Sequence, residues 1–124
     1  MTAVVRRLVE EDSSLVVWWG TRTECLSALA RRRREGSLPS ATERLARDVL
    51  AELSRAWSEI LPNEALRSRA ERLLAVHPLR AADAFQLASA LLWSQGETRD
   101  QGLVSFDDRL REAAQREGFL VLPE

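Results

Sequence analysis

Short apolar runs that lead directly into helix-period stretches constrain this chain more than any other feature. Leu15-Val16-Val17-Trp18 is continuous, β-branched and aromatic, and reads as a buried parallel strand. Gly20 breaks it, and a helix runs from about Arg22 to Arg34, where Glu35-Gly36 stops it. Leu103-Val104-Ser105 repeats the arrangement: a strand, a helix over Asp107–Glu117 with Gly118 as its C-cap, then a last strand over Phe119–Leu122. No tight hairpin signal joins any two strands, and parallel strands need helical crossovers. The pattern therefore predicts an open parallel α/β sheet covered by helices on both faces. Ligands in such sheets bind beyond the carboxyl ends of the strands.

The remaining stretches fill in the helices. Val4, Val5, Leu8 and Val9 give Thr2–Glu11 one apolar face, and Asp12-Ser13-Ser14 ends that helix. Ser40 is placed to cap a helix over Ala41–Ala56 whose inward row is Leu45, Val49, Leu53 and Trp57. Trp57–Leu61 switches to a short strand, with Pro62 assigning its end to an edge. Asn63 caps a helix with Leu66, Ala70, Leu73 and Leu74 inward, terminated by His77-Pro78. Arg80–Gln95 is the most apolar helix, which implies burial on several sides. A length of 124 residues suits a single domain.

Acids and bases nearly cancel, leaving a formal net charge of −1, so attraction to nucleic acid must be local rather than molecule-wide. The single cysteine, Cys25, forms no intramolecular disulfide and no cysteine-based zinc site. Asp83, Gln86 and Ser89 interrupt the longest apolar stretch too early for a membrane helix, and a cytoplasmic protein is expected.

Three carboxylates stand in apolar surroundings near helix starts: Glu24 in TRTECLSALARR, Asp83 in LRAADAFQLASALL and Asp107 in LVSFDDRLREAA. Glu24 and Asp107 closely follow strands, so the predicted topology gathers all three at one sheet edge. Gathered there they make a hard-cation site, suited to Mg²⁺ or Mn²⁺. Each also has a plain structural explanation. Glu24 lies three residues after Thr21, the spacing of a capping box. Asp83 is a first-turn acid that Arg80 could pair. Asp107 is an ordinary N-cap. Cys25, His77 and an acid do not make a nucleophilic triad, because no elbow motif is present and His77 reads as a solvated turn residue. Arg31–Arg34 could grip a phosphate backbone, but four consecutive arginines in a last turn also answer the helix dipole. Trp18 and Trp19 could stack bases, although strand alternation sends one of them into the core.

Three segments, VVWWGTRTECLSALARRRREG, HPLRAADAFQLASALL and LVSFDDRLREAAQREGFLVLP, carry a resemblance to the PIN-domain family, specifically its VapC-type toxin ribonucleases. The middle motif, R-x-x-D-A-x-x-L-A-x-A, is the most specific. The resemblance implies a PIN-like three-layer α/β/α fold with a short parallel sheet. It implies a Mg²⁺-dependent endoribonuclease, with Mn²⁺ an alternative ion, that hydrolyses RNA phosphodiesters. By position, Glu24 matches the second acid of the family, Asp83 the third and Asp107 the fourth, ahead of its neighbour Asp108. Ser105 matches the small hydroxyl residue that orients a ligand or water. A cognate antitoxin protein and a homodimer are the implied partners. Similar proteins begin with a strand ending in Asp-Thr/Ser-Ser-Ala and a helix, so roughly 20 residues of the family pattern would precede Met1. Without that first central strand, two half-sheets with unpaired inner edges are expected. The alternative function is a PIN-like remnant that binds antitoxin or RNA without catalysis.

Overall fold

The computed structural model describes residues 2–12 and 14–124, apart from the side chains at positions 2, 4 and 5. The inward placement expected for Val4 and Val5, and the part of Ser13 in ending the first helix, lie outside the described residues. In chain order the elements are α1 (Thr2–Glu11), β1 (Val16–Trp18), α2 (Thr21–Arg34), α3 (Ser40–Ala56), β2 (Ser58–Ile60), α4 (Glu64–Val76), α5 (Ala81–Ser94), β3 (Gly102–Val104), α6 (Asp108–Arg116) and β4 (Leu120–Leu122). This is a helix-rich α/β fold with short parallel strands, as the alternating pattern predicts.

Local chemistry sets the boundaries. Asn63 caps α4, its Oδ1 accepting the Leu66 N–H at 2.8 Å. Gly36 ends α2 with a φ of +76°, the left-handed conformation that costs glycine little. The core is built around α5. Ala84, Leu87, Ala88 and Leu91 are buried there against Leu66, Ala70 and Leu73 of α4, with Leu110, Ala113, Ala114 and Phe119 closing the cluster. The alanines let neighbouring helices approach closely, and each buried leucine contributes about 1.5–3 kcal/mol.

The strands form two separate two-stranded sheets, β1–β2 and β3–β4, both parallel. This is the divided sheet that the sequence led us to expect. The Ser58 N–H donates to the Leu15 carbonyl and the Trp19 N–H to the Ile60 carbonyl, each at 2.9 Å. Backbone groups alternate sides along a strand, so those of Val16 and Trp18 point away from β2. The same alternation, fixed by Leu120 N–H to Gln101 and Ser105 N–H to Leu122, turns Gly102 and Val104 away from β4. Between β1 and β3 lies a cavity of about 370 Å³, lined by Val16, Val17, Leu103 and Val104 and roofed by Leu8 and Val9 of α1. Ser89 also lines it, and its hydroxyl is buried with no partner among the described residues.

Some expected positions shift. β1 is only half-buried along its length, because one of its edges opens onto this cavity. α3 turns a different stripe inward: Leu45 and Val49 are 64% and 42% exposed, whereas Glu43 and Leu50 are buried. Glu43 lies there between Arg33 of α2 at 3.4 Å and Arg47 of α3 itself at 3.5 Å. Ser40 is the first helical residue behind an N-cap Pro39 and makes no capping bond. Leu74 is exposed, the inward row of α4 continuing instead from Leu73 to His77. No helix among the described residues is long and apolar enough to cross a membrane.

Candidate active site

Glu24 sits in the first turn of α2, but the capping box expected with Thr21 does not form. The N-cap is Gly20, with no side-chain capping bond. The carboxylate turns toward the core instead, Oε1 accepting from Gln86 Nε2 at 3.0 Å and Oε2 from Trp18 Nε1 at 3.3 Å. Gly20 makes this geometry accessible, because a Cβ there would meet the Trp18 ring at 2.6 Å. Trp18 in turn stacks on Phe85 of α5, with ring centroids 4.8 Å apart and planes 13° from parallel. An aromatic pair and an amide thus hold one carboxylate in a fixed orientation.

Asp83 lies in the first turn of α5, half-buried. Its carboxyl is pushed above the ordinary aspartate range, first by burial and then by the charges of Asp107 and Glu24. Arg80 pulls the other way through its charge and its backbone, yet the net direction stays upward. Among the described residues Arg80 closes no ion pair with Asp83, so the explanation of Asp83 as one half of a surface pair does not hold.

Asp107 is the N-cap of α6, Oδ1 accepting the Leu110 N–H at 2.9 Å. Its structural explanation is therefore correct as far as one oxygen is concerned. The Ser105 hydroxyl accepts the Asp107 N–H at 3.1 Å, so Ser105 sets the turn that presents the acid. Arg111 fastens the same turn, with Nη1 donating to the Ser105 carbonyl and Nη2 to the Pro123 carbonyl, each at 2.7 Å. The three acids are thus near enough for Glu24 and Asp107 to act electrostatically on Asp83. Among the described residues, no three metal-binding side chains stand close enough together to hold one ion directly.

The donor set fits a hard divalent cation: oxygen ligands only, with negative charge in excess at Asp83. Glu24 and Asp107 also have the outer hydrogen bonds that orient metal-ligating carboxylates. Cys25 and His77 take no part. The Cys25 thiol is pushed up by desolvation and by Glu24, which keeps it protonated and a weak nucleophile. His77 is buried, not solvated as the sequence suggested, and its Nε2 lies 2.7 Å from Glu117 Oε2. The turn before Pro78 folds inward because that glutamate on α6's C-terminal side offers the imidazole a partner.

Against known families, residues 2–116 match the PIN domain. The chain belongs to the PIN-domain family. PIN domains are nucleases as a class and typically use divalent metal ions, which agrees with an all-oxygen acidic site on this PIN domain. A comparison with curated proteins gave no match. Three contributors to the PIN-domain site were not anticipated in their observed parts. Gln86 shares a helix stripe with Asp83, a visible signal for its place but not for its bond to Glu24. Trp18 carried a stacking signal but none for its indole N–H. Arg111 is one helical turn beyond Asp107, a spacing that many surface arginines share.

Proposed function

We propose that this PIN domain is a metal-dependent endoribonuclease of the VapC type, the toxin of a toxin–antitoxin pair. Its substrate is RNA, its partners are a cognate antitoxin and a second copy of itself, and Glu24, Asp83 and Asp107 hold Mg²⁺ or, as an alternative, Mn²⁺, directly or through bound water. One observation carries the reading: the fold brings Glu24 and Asp107 near enough to act on Asp83, whose carboxyl is pushed upward first by burial and then by those two charges, with Arg80 only partly opposing them. When bound, the metal would lower the pKa of a water and offset charge on the scissile phosphate.

The chain's own residues supply the orientation. Trp18 and Gln86 aim Glu24, while Ser105 and the capping bond to Leu110 aim the free oxygen of Asp107. Asp83 is the acid that feels the charges of both others. The supporting measurement is Mg²⁺-dependent cleavage of single-stranded RNA by the purified chain, abolished in Asp83→Asn. A chain that is folded by circular dichroism and cleaves nothing with either ion would sink the proposal.

The second reading, a binding module without catalysis, is favoured by the spacing of the acids, which fall short of a closed three-ligand cage among the described residues. Calorimetric Mn²⁺ titration separates the two. Binding that is lost in Asp83→Asn belongs to the enzyme, and no binding belongs to the module.

A further inference from the structure

The four arginines that end α2 have different surroundings. Arg33 is committed to the buried Glu43 at 3.4 Å. Arg31 instead lines an open depression that also contains Trp19, Thr23, Glu24 and Ser27. Thr23, Ser27 and Arg31 recur every four residues along α2, and Trp19, in the turn just before the helix, lies at the near end of the same depression. Trp19 is 53% exposed, set edge-on against the buried-side Trp18 with centroids 6.2 Å apart and planes at 70°. The helix dipole accounts for an arginine in the last turn. It does not account for an indole displayed at the head of the same depression, beside Glu24.

We propose that this depression seats one nucleotide of single-stranded RNA next to the scissile bond, its base stacked on Trp19 and its phosphate against Arg31. The inference rests on the nuclease reading of Glu24, Asp83 and Asp107. Seven residues of helix separate Glu24 from Arg31, about 10 Å of rise. Arg31 therefore meets a phosphate neighbouring the one at the acids. Thr23 and Ser27 line the interval and offer hydroxyls to the sugar–phosphate backbone. The substrate is single-stranded because a paired, stacked base has no free face for an indole. With a net charge of −1 the molecule supplies no general attraction, so a local aromatic and a local cation carry the contact.

The test uses the purified full chain and a fluorescein-labelled RNA of about 12 nucleotides with divalent ions removed by EDTA, which reports binding without metal-dependent cleavage. Trp19→Ala is expected to weaken binding about tenfold or more, and Trp19→Phe to retain most of it. Arg31→Ala is expected to flatten the salt dependence of log K by about 0.7, the increment for one phosphate contact on a single strand. An abasic nucleotide moved along the probe should make wild type and Trp19→Ala bind alike at one position only. Wild-type affinity in both Trp19 variants, equal Trp19-dependent binding of duplex RNA, or no binding by wild type would each overturn the proposal. Asp83→Asn run alongside keeps the two readings apart. If it loses cleavage while Trp19→Ala binds normally, the nuclease stands and this subsite falls. If it cleaves like wild type while Trp19→Ala fails to bind, the subsite stands without the acidic site.

Discussion

Gln86 Nε2 donates to Glu24 Oε1 at 3.0 Å across 62 residues of sequence, joining the first turn of α2 to the middle of α5. Through this bond the helix that carries Asp83 also fixes the direction of Glu24. Gln86→Leu should therefore lower turnover about 10- to 100-fold, the usual cost of losing a group that orients a metal ligand. Trp18→Phe keeps the stack on Phe85 and deletes only the other donor, so it should act in the same direction. In a Glu24→Gln background both should add little, and steady-state cleavage kinetics on the three single and two double variants checks this.

Asp83 titrates in an unusual direction, with a consequence for stability. Its folded-state value is raised, so across the window above about 3.9 the folded chain keeps a proton that the unfolded chain has lost. Metal-free stability must then fall as pH rises through that window. Asp83→Asn should melt higher than wild type at neutral pH, and its advantage should vanish below about pH 4. Adding Mg²⁺ should raise the melting temperature of wild type and leave the variant nearly unmoved, as thermal scans at several pH values would show.

Arg111 satisfies the Ser105 and Pro123 carbonyls and reaches Leu122 at 3.3 Å. Arg111→Met leaves those acceptors without their donor and should destabilise the chain by roughly 1–3 kcal/mol. It should also loosen the turn under Asp107. Urea unfolding gives the first effect, and a weaker Mn²⁺ affinity than wild type gives the second.

His77 is remote from this chemistry. His77→Ala removes a buried partner of Glu117 and should cost roughly 1–3 kcal/mol in denaturant unfolding. Cleavage rates measured well below its melting point should match wild type, in contrast to Gln86→Leu.

Backbone exchange should reveal the divided sheet. The amides of Val16, Trp18, Gly102 and Val104 face away from the strands they pair with among the described residues and should exchange early. Those of Trp19 and Ser105, which donate to Ile60 and Leu122, should be protected longer. Residue-resolved hydrogen exchange by nuclear magnetic resonance measures this pattern.

The sequence made the helices and the location of the strands legible because periodicity and caps act locally. Asn63 and Asp107 cap as their types predict. It was less informative where a charged residue is buried beside a partner on another helix, as Glu43 is beside Arg33, or where a distant residue takes the place of a local one. Glu24 is the clearest case. The sequence offers Thr21 three residues away, and the fold supplies Trp18 and Gln86 instead. His77 went the same way, its partner lying 40 residues on. The three acids were legible as candidates, but their mutual repulsion at Asp83 depends on tertiary distances that no spacing rule carries.

Glu24 and Asp83 ride on the part of the molecule built around β1, whereas Asp107 hangs from the end of β3 and the start of α6. No rung of backbone hydrogen bonds spans the seam between these parts among the described residues. The gauge of the acidic site is accordingly set by side-chain contacts, chiefly Leu110, Ala113 and Phe119 against α5, with the His77–Glu117 pair alongside. A methylene gained or lost at one of these buried positions would alter the aperture between the carboxylates, so residues remote from the acids help set their spacing.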